Sequence, residues 1–358
     1  MRRERLCFSQ ASILAVAGLL QLAGGLSHAC QICIPFPQKS PADQLIESEG
    51  VVLAREDPER PFCFVTVEVL KGSPGPEKID LFLDTTTRRH LSLHPGHSVL
   101  LVKGSGAGDS GWRRIGLMDE TFGPVVRETL QRAHAWKDRP SDRTAFFAKR
   151  LGDVDPQVRT LAHLELARAP YAEIRKYGGV LSRETIHAFL AERRYVEWHP
   201  LYLLLLAQSG HPEDAARIRR SMESAARFAI SLNLSAWSTA LVEVDQEKGV
   251  QFLEENYLCQ PSRSDGELRA IIAALSVQGS SGNDALLDRI VSAYGLTLNI
   301  HPELAPDLVK DLLAWRRYDL SERVADLASA RPPAFDLTTL LKLRTYAKHS
   351  DTSPSAQR

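Results

Sequence analysis

Beyond residue 29 this 358-residue sequence has no long apolar run. The longest candidate, Leu201–Ala207, falls far short of the roughly 18 consecutive apolar residues that a membrane helix needs, which excludes a span in the mature chain. Charge of one sign is also missing: 44 Lys and Arg stand against 44 Asp and Glu. The basic pairs Arg88-Arg89, Arg193-Arg194, Arg219-Arg220 and Arg316-Arg317 stay scattered and gather no aromatics, so no nucleic acid is expected as a partner. Of five cysteines, only Cys30 and Cys33 lie close together, where a Cys₄ zinc site of the usual kind needs two close pairs. Gly-x-Ser-x-Gly and His-Glu-x-x-His are both absent, so neither the hydrolase elbow nor the zincin helix is encoded. Gly106-x-Gly108-x-x-Gly111 matches a dinucleotide fingerprint, but "WRRIGL" after it continues as a strand where the motif must open a helix. His90, His94 and His97 crowd one turn, yet no acidic partner stands at a diagnostic spacing, and they read as surface loop histidines. No catalytic residue, cofactor or metal ligand is therefore expected.

What is present begins with a leader. Arg2, Arg3 and Arg5 precede an apolar stretch from Ala11 to Leu26, and Ser27-His28-Ala29 places small residues where a signal peptidase cuts. Residues 1–29 are expected as a signal peptide. The mature chain then opens at Cys30, exported to a periplasmic or extracellular compartment.

The texture of the chain changes near residue 125. Before it, short apolar segments alternate with turn chemistry: Ile46–Ala54, Phe62–Leu70, Ile79–Leu83, Ser98–Val102 and Trp112–Leu117 are expected strands, separated by "KGSPGPEK", "LHPGH" and "KGSGAGDSG". In "FCFVTVEVL" strict alternation puts Cys63, Val65, Val67 and Val69 on one face. Five short strands suggest a small closed or nearly closed barrel over residues 30–125, because closure removes exposed edges. After it the period is helical. Ser264 and Glu267 form a capping box ahead of Leu268, Ile271, Ile272 and Leu275, with Gly279 to end the helix. A second helix should run from Asn283 to Gly295, and Pro156, Pro212 and Pro302 stand where a first helical position tolerates proline. Residues 126–141 read as a linker, 142–347 as an irregular α-solenoid and 348–358 as a disordered tail. The fold class expected is α+β in two domains, a five-stranded OB-like barrel followed by a helical array.

Cys30-Gln31-Ile32-Cys33 is a poor redox motif, because Pro35 and Pro37 oppose the helix that would stabilise a thiolate. One of Cys30 and Cys33 is expected instead to bond to Cys63. A Cys30–Cys63 bridge would close a loop of about 34 residues, worth roughly 3–4 kcal/mol in the chain-entropy account. Cys259 is expected as a buried free thiol.

Two resemblances follow from these residues. The Cys-rich opening, the prolines after it, "ADQLIESEGVVLARED", a strand ending in "VEVLKG", and "LHPGHSVLLVK" together resemble the netrin-like domain of tissue inhibitors of metalloproteinases. That resemblance implies an OB-type barrel and, through the free α-amino group of Cys30, an inhibitory N-terminus. The pattern departs from the family in having Cys-x-x-Cys for Cys-x-Cys and in lacking the later partner cysteines. "LGDVDPQVRTLAHLELARA", residues 151–169, resembles the second half of a HEAT repeat through Asp155-Pro156, Val158-Arg159, Ala162 and Leu164 or Leu166. The expected function is that of an exported, non-enzymatic scaffold whose helical array binds another protein or a peptide. The alternatives are a metalloprotease inhibitor or modulator acting through Cys30, and a CxxC thiol oxidoreductase.

Overall fold

The computed structural model describes residues 39–73, 79–104, 111–281, 283–329 and 335–348. The expected signal peptide, Cys30, Cys33 and the tail beyond Lys348 lie outside the described residues. Helix α1 (Pro41–Glu47) starts at Ser40, whose side chain closes a capping box with Asp43. Strands β1 (Gly50–Glu56), β2 (Cys63–Lys71) and β3 (Ile79–Phe82) follow, then helix α2 (Thr85–Leu93) and strands β4 (Ser98–Lys103) and β5 (Trp112–Met118). All five expected strands are present, although Ile46, expected to begin the first, belongs to α1. They form one antiparallel sheet in the order β3-β2-β1-β4-β5. The sheet curls until β3 and β5 come near one another, but these edges do not pair, so it is a half-barrel rather than a closed one.

The central strands are buried on both faces. Val51, Leu53, Leu100 and Val102 pack towards the helices that follow, while Val52, Ala54, Val99 and Leu101 fill the inside of the curl with Phe64, Leu83 and Leu91. Burial on both sides removes the polar half of the usual alternation, which is why "VVLA" and "VLLV" read as unbroken apolar runs.

Strand β2 departs from its sequence pattern. Leu53 pairs with Glu68 and Ala54 with Thr66, so Val67 is passed over in a bulge and stands 50% exposed. One extra residue exchanges the faces. Phe64, not Cys63, takes the core position at 2% exposure, and Val69, expected on the face of Cys63, lines up beside the inward-facing Val52.

From Phe122 onward every regular element among the described residues is helical. The helices are α3 (Phe122–Asp138), α4 (Pro140–Ala148), α5 (Pro156–Ala167), α6 (Tyr171–Ile174), α7 (Arg183–Ala191), α8 (His199–Ala207), α9 (Pro212–Phe228) and α10 (Leu234–Asp245). They continue with α11 (Glu247–Leu253), α12 (Asp265–Gly279), α13 (Asp284–Ile300), α14 (Ala305–Trp315), α15 (Ser321–Ser329) and α16 (Leu337–Lys348). The Ser264–Glu267 capping box opens α12, and Pro156 and Pro212 sit in first turns as expected. Pro302 opens a 3₁₀ turn, not an α-helix. Helix α13 runs past Gly295 to Ile300, because that glycine serves packing: a Cβ there would stand 3.2 Å from the Leu320 side chain.

The stretch 126–141, expected as a linker, is helical. Val126 and Trp136 are buried, and the Trp136 ring lies 5.3 Å from Phe146 and 5.8 Å from Phe147 across the α3–α4 corner. Its charges are a solvent face; Arg127 forks onto Glu68 of β2 at 2.5 and 2.6 Å. One apolar cluster runs from the outer face of the sheet through α3–α8 to Ala236, and a second spans α9 to α16, with Trp237 packed against both. Helix α8 packs on α10, α10 on α12, α12 on α14 and α14 on α16, with the intervening helices alongside.

A buried ion network ties α1 to this helical part. Arg143 donates to Asp43 at 2.6 Å and to both oxygens of Glu165 at 2.7 and 2.9 Å. Arg168 donates to Asp43 as well, and Ser40 donates to Glu165, whose side chain is 6% exposed. Among the described residues no helix is long and apolar enough to cross a membrane.

Candidate functional site

The elbow between α9 and α10 holds two non-glycine residues in left-handed conformation. Helix α9 ends at Phe228, and Ala229 adopts a left-handed conformation at φ 51° that its Cβ opposes. Asn233, at φ 54°, opens α10 in the same region and donates to the carbonyl of Val196 at 3.4 Å. Between these two positions the chain runs "AISLN", pinned at each end. Phe228, Ile230 and Leu232 point outward with 65%, 46% and 62% of their surface exposed.

Beside them lies an open cleft of about 350 Å³ lined by Arg217, Arg220, Ser224, Ile230, Leu232 and Trp237 among others. Arg217, Arg220, Ser224 and Arg227 recur at three- and four-residue spacing, so they share one face of α9. Among the described residues no carboxylate lines the cleft. Arg219, on another face, is occupied by Asp245 at 2.8 and 2.9 Å. An apolar floor with a basic wall can bury apolar side chains and neutralise acidic ones. The signal in the sequence is the period-two run Phe228, Ile230, Leu232 directly after an amphipathic helix. It resembles a strand fragment, and the sequence reading passed over it.

Two further polar clusters are structural in geometry. Asp214 accepts from Arg183 at 2.7 Å, His187 at 2.8 Å and Ser209 at 2.9 Å. Burial works against its charge, but these donors hold the carboxyl at about 2. Arg217 donates to His187 Nδ1 at 2.7 Å, so the Nε2 proton goes to Asp214 and the ring keeps no lone pair for a substrate. In the second core, Asp311 accepts from Ser276 and Tyr294, each at 2.8 Å. Burial raises its pKa, against these two hydrogen bonds.

The residues singled out in the sequence are placed as follows. Cys63 and Cys259 are both half-buried and, among the described residues, bonded to no other cysteine; burial pushes the Cys259 thiol up. Cys259 was expected to be buried. It stands outside the second core cluster, just after the π turn Glu254–Leu258 that carries the buried Tyr257 and Leu258. The expected bridge to Cys63 and the inhibitory N-terminus both depend on Cys30 or Cys33, outside the described residues. Of the fingerprint glycines only Gly111 is described, in the turn that enters β5.

The three loop histidines are brought together. His90, expected in a loop, lies in the last turn of α2; His94 caps the helix with its N–H on the His90 carbonyl at 3.0 Å, and His97 lies beyond the Pro95-Gly96 turn. Ring centroids are 4.5, 5.1 and 4.8 Å apart for the pairs 90–94, 90–97 and 94–97. Burial, then His94 and His97, lower the pKa of His90. Comparison with models of protein families, with curated proteins and with solved structures finds no match to this chain.

Proposed function

We propose that this is an exported, non-enzymatic interaction protein that binds an acidic, amphipathic segment of a partner protein in the α9–α10 elbow. The observation that carries the reading is the exposed trio Phe228, Ile230 and Leu232 beside a cleft whose charged lining residues are all arginines. Helix-in-groove recognition needs these two elements, apolar anchors and a complementary charged rim.

Architecture adds support on two counts. The row α8, α10, α12, α14, α16, each packed on the next, favours a solenoid, a shape that offers long binding surfaces. The strand order, with a helix between β3 and β4, favours an OB-type barrel for the N-terminal part, as its netrin-like resemblance implies. Binding is assigned to the helical part because the apolar trio and the arginines lie there.

The test uses a fluorescein-labelled helical peptide with Leu and Phe on one face and Glu on the other, and a Lys-for-Glu counterpart, read by fluorescence anisotropy. The acidic peptide should bind and weaken with salt. Leu232→Asp should abolish binding, and Arg220→Glu should shift preference towards the Lys peptide. Equal binding of both peptides, or an unaffected Leu232→Asp, would refute the proposal.

A further inference from the structure

We propose that His90, His94 and His97 form a binding site for a divalent transition-metal ion of the imidazole-preferring class, Zn²⁺, Cu²⁺ or Ni²⁺. The site lies on the half-barrel, independent of the α9–α10 elbow.

Three geometric facts carry it. His90 and His94 are one helical turn apart, and the hydrogen bond of 3.0 Å from the His94 N–H to the His90 carbonyl keeps that turn helical. Imidazoles at this spacing share a face, which is the reason paired histidines four apart chelate metals. Next, His90 Nε2 and His97 Nδ1 are 3.0 Å apart. Two nitrogens each about 2.0–2.1 Å from one tetrahedral ion stand about 3.3 Å from each other, so this pair is already at chelate separation. On metal binding the proton now shared between them moves to the other nitrogen of its own ring, so that both facing nitrogens offer a lone pair and each imidazole stays neutral.

The third fact concerns all three rings. Two imidazoles on one tetrahedral ion have ring centres about 5 Å apart. The observed separations are 4.5, 5.1 and 4.8 Å. With the rings as they stand, no three donors among the described residues meet around one point. Bringing three donors to one ion therefore takes a change of side-chain rotamer, and the exposed His94 ring has the room to make it.

Two arginines border the cluster, each with a partner of its own. The nearby guanidinium of Arg114 is turned to Asp84 at 3.2 Å and to Thr87, and Arg55 donates to the Pro95 carbonyl, which holds the turn between His94 and His97. Three imidazoles leave at least one position on the ion open to water or to a donor from a partner. Imidazole ligands without thiolate or a full carboxylate set favour Zn²⁺, Cu²⁺ and Ni²⁺ over Mg²⁺ or Ca²⁺.

The experiment is calorimetric titration of untagged full chain, stripped with chelator, with Zn²⁺, and electron paramagnetic resonance of the Cu²⁺ form, whose nitrogen hyperfine pattern counts imidazoles. The expected result is one ion per chain with a Kd of about 1 μM or tighter, and Cu²⁺ spectra of three nitrogens. H90Q, H94Q and H97Q should each weaken binding at least about tenfold; H134Q, at an exposed histidine on α3, should not. Because His94 is exposed, H94Q leaves the fold intact and decides the matter even if H90Q unfolds. Wild-type binding no tighter than about 1 mM, an H94Q variant that binds like wild type, or an H134Q variant as weak as the others would overturn the proposal.

Discussion

Acid should destabilise this protein through one imidazole. His163 on α5 has no exposed surface, and its ring is stacked on Trp198 with centroids 4.2 Å apart, 5.9 Å from Tyr202. Burial pushes its pKa down to about 3, against about 6.5 in an unfolded chain. As pH falls the unfolded state therefore takes the proton first. The contribution is fully present above about pH 6.5 and is lost steadily down to about pH 3, at about 1.4 kcal/mol per pH unit and roughly 5 kcal/mol in all. At pH 5 the loss is about 2 kcal/mol, while carboxylates, with unfolded values near 4, have barely begun to titrate. The assay is urea unfolding at pH 7.5 and pH 5.0 for the wild type and for His163→Phe, which keeps a flat ring on Trp198. The variant's stability at pH 7.5 can differ from wild type for packing reasons; the change between the two pH values is the quantity read. Wild type should lose about 2 kcal/mol more than the variant over that interval. Parallel losses would refute the reasoning, and would mean that His163 is reached by water or protonated in the fold.

Arg143→Met should destabilise by about 3 kcal/mol, because it leaves two nearly buried carboxylates, Asp43 and Glu165, to share the single partly exposed cation of Arg168. Adding Asp43→Asn and Glu165→Gln should recover much of that loss in urea unfolding; a triple variant no better than the single one would show that the network does not act as a unit. Ala229→Gly should stabilise by about 0.5–1 kcal/mol, since glycine accepts φ 51° without a Cβ penalty. Its effect on the acidic-peptide affinity should be small, because the anchors are the neighbouring side chains, and a large loss there would show that the strain itself serves binding.

The five strands and the α12 capping box were legible because their signals are local: alternation, turn residues and a Ser-x-x-Glu pair act within a few residues of chain. The charges at 126–141 look the same on a solvated helix face as in a loop; only the partners, Glu68 on β2 and the Phe146–Phe147 pair on α4, show that α3 is packed. The bulge at Val67 is likewise invisible in "FCFVTVEVL", since a perfect alternation says nothing about which residue the neighbouring strand will skip. In the candidate site, the sequence displays Phe228, Ile230 and Leu232 but not their exposure, which depends on where α10 turns back. It displays three histidines within one turn, but whether rings diverge or stack within about 5 Å depends on the Pro95-Gly96 turn. The sequence by itself determined the five strands, the starts of α5, α9, α12 and α13 and the α+β class, because those follow from propensity and periodicity along the chain; α1 and α2, short helices set among the strands, it did not show. The tertiary structure alone decided which faces are core, which charges are paired and which apolar groups are left outside, because those outcomes are set by residues far apart in sequence and close in space.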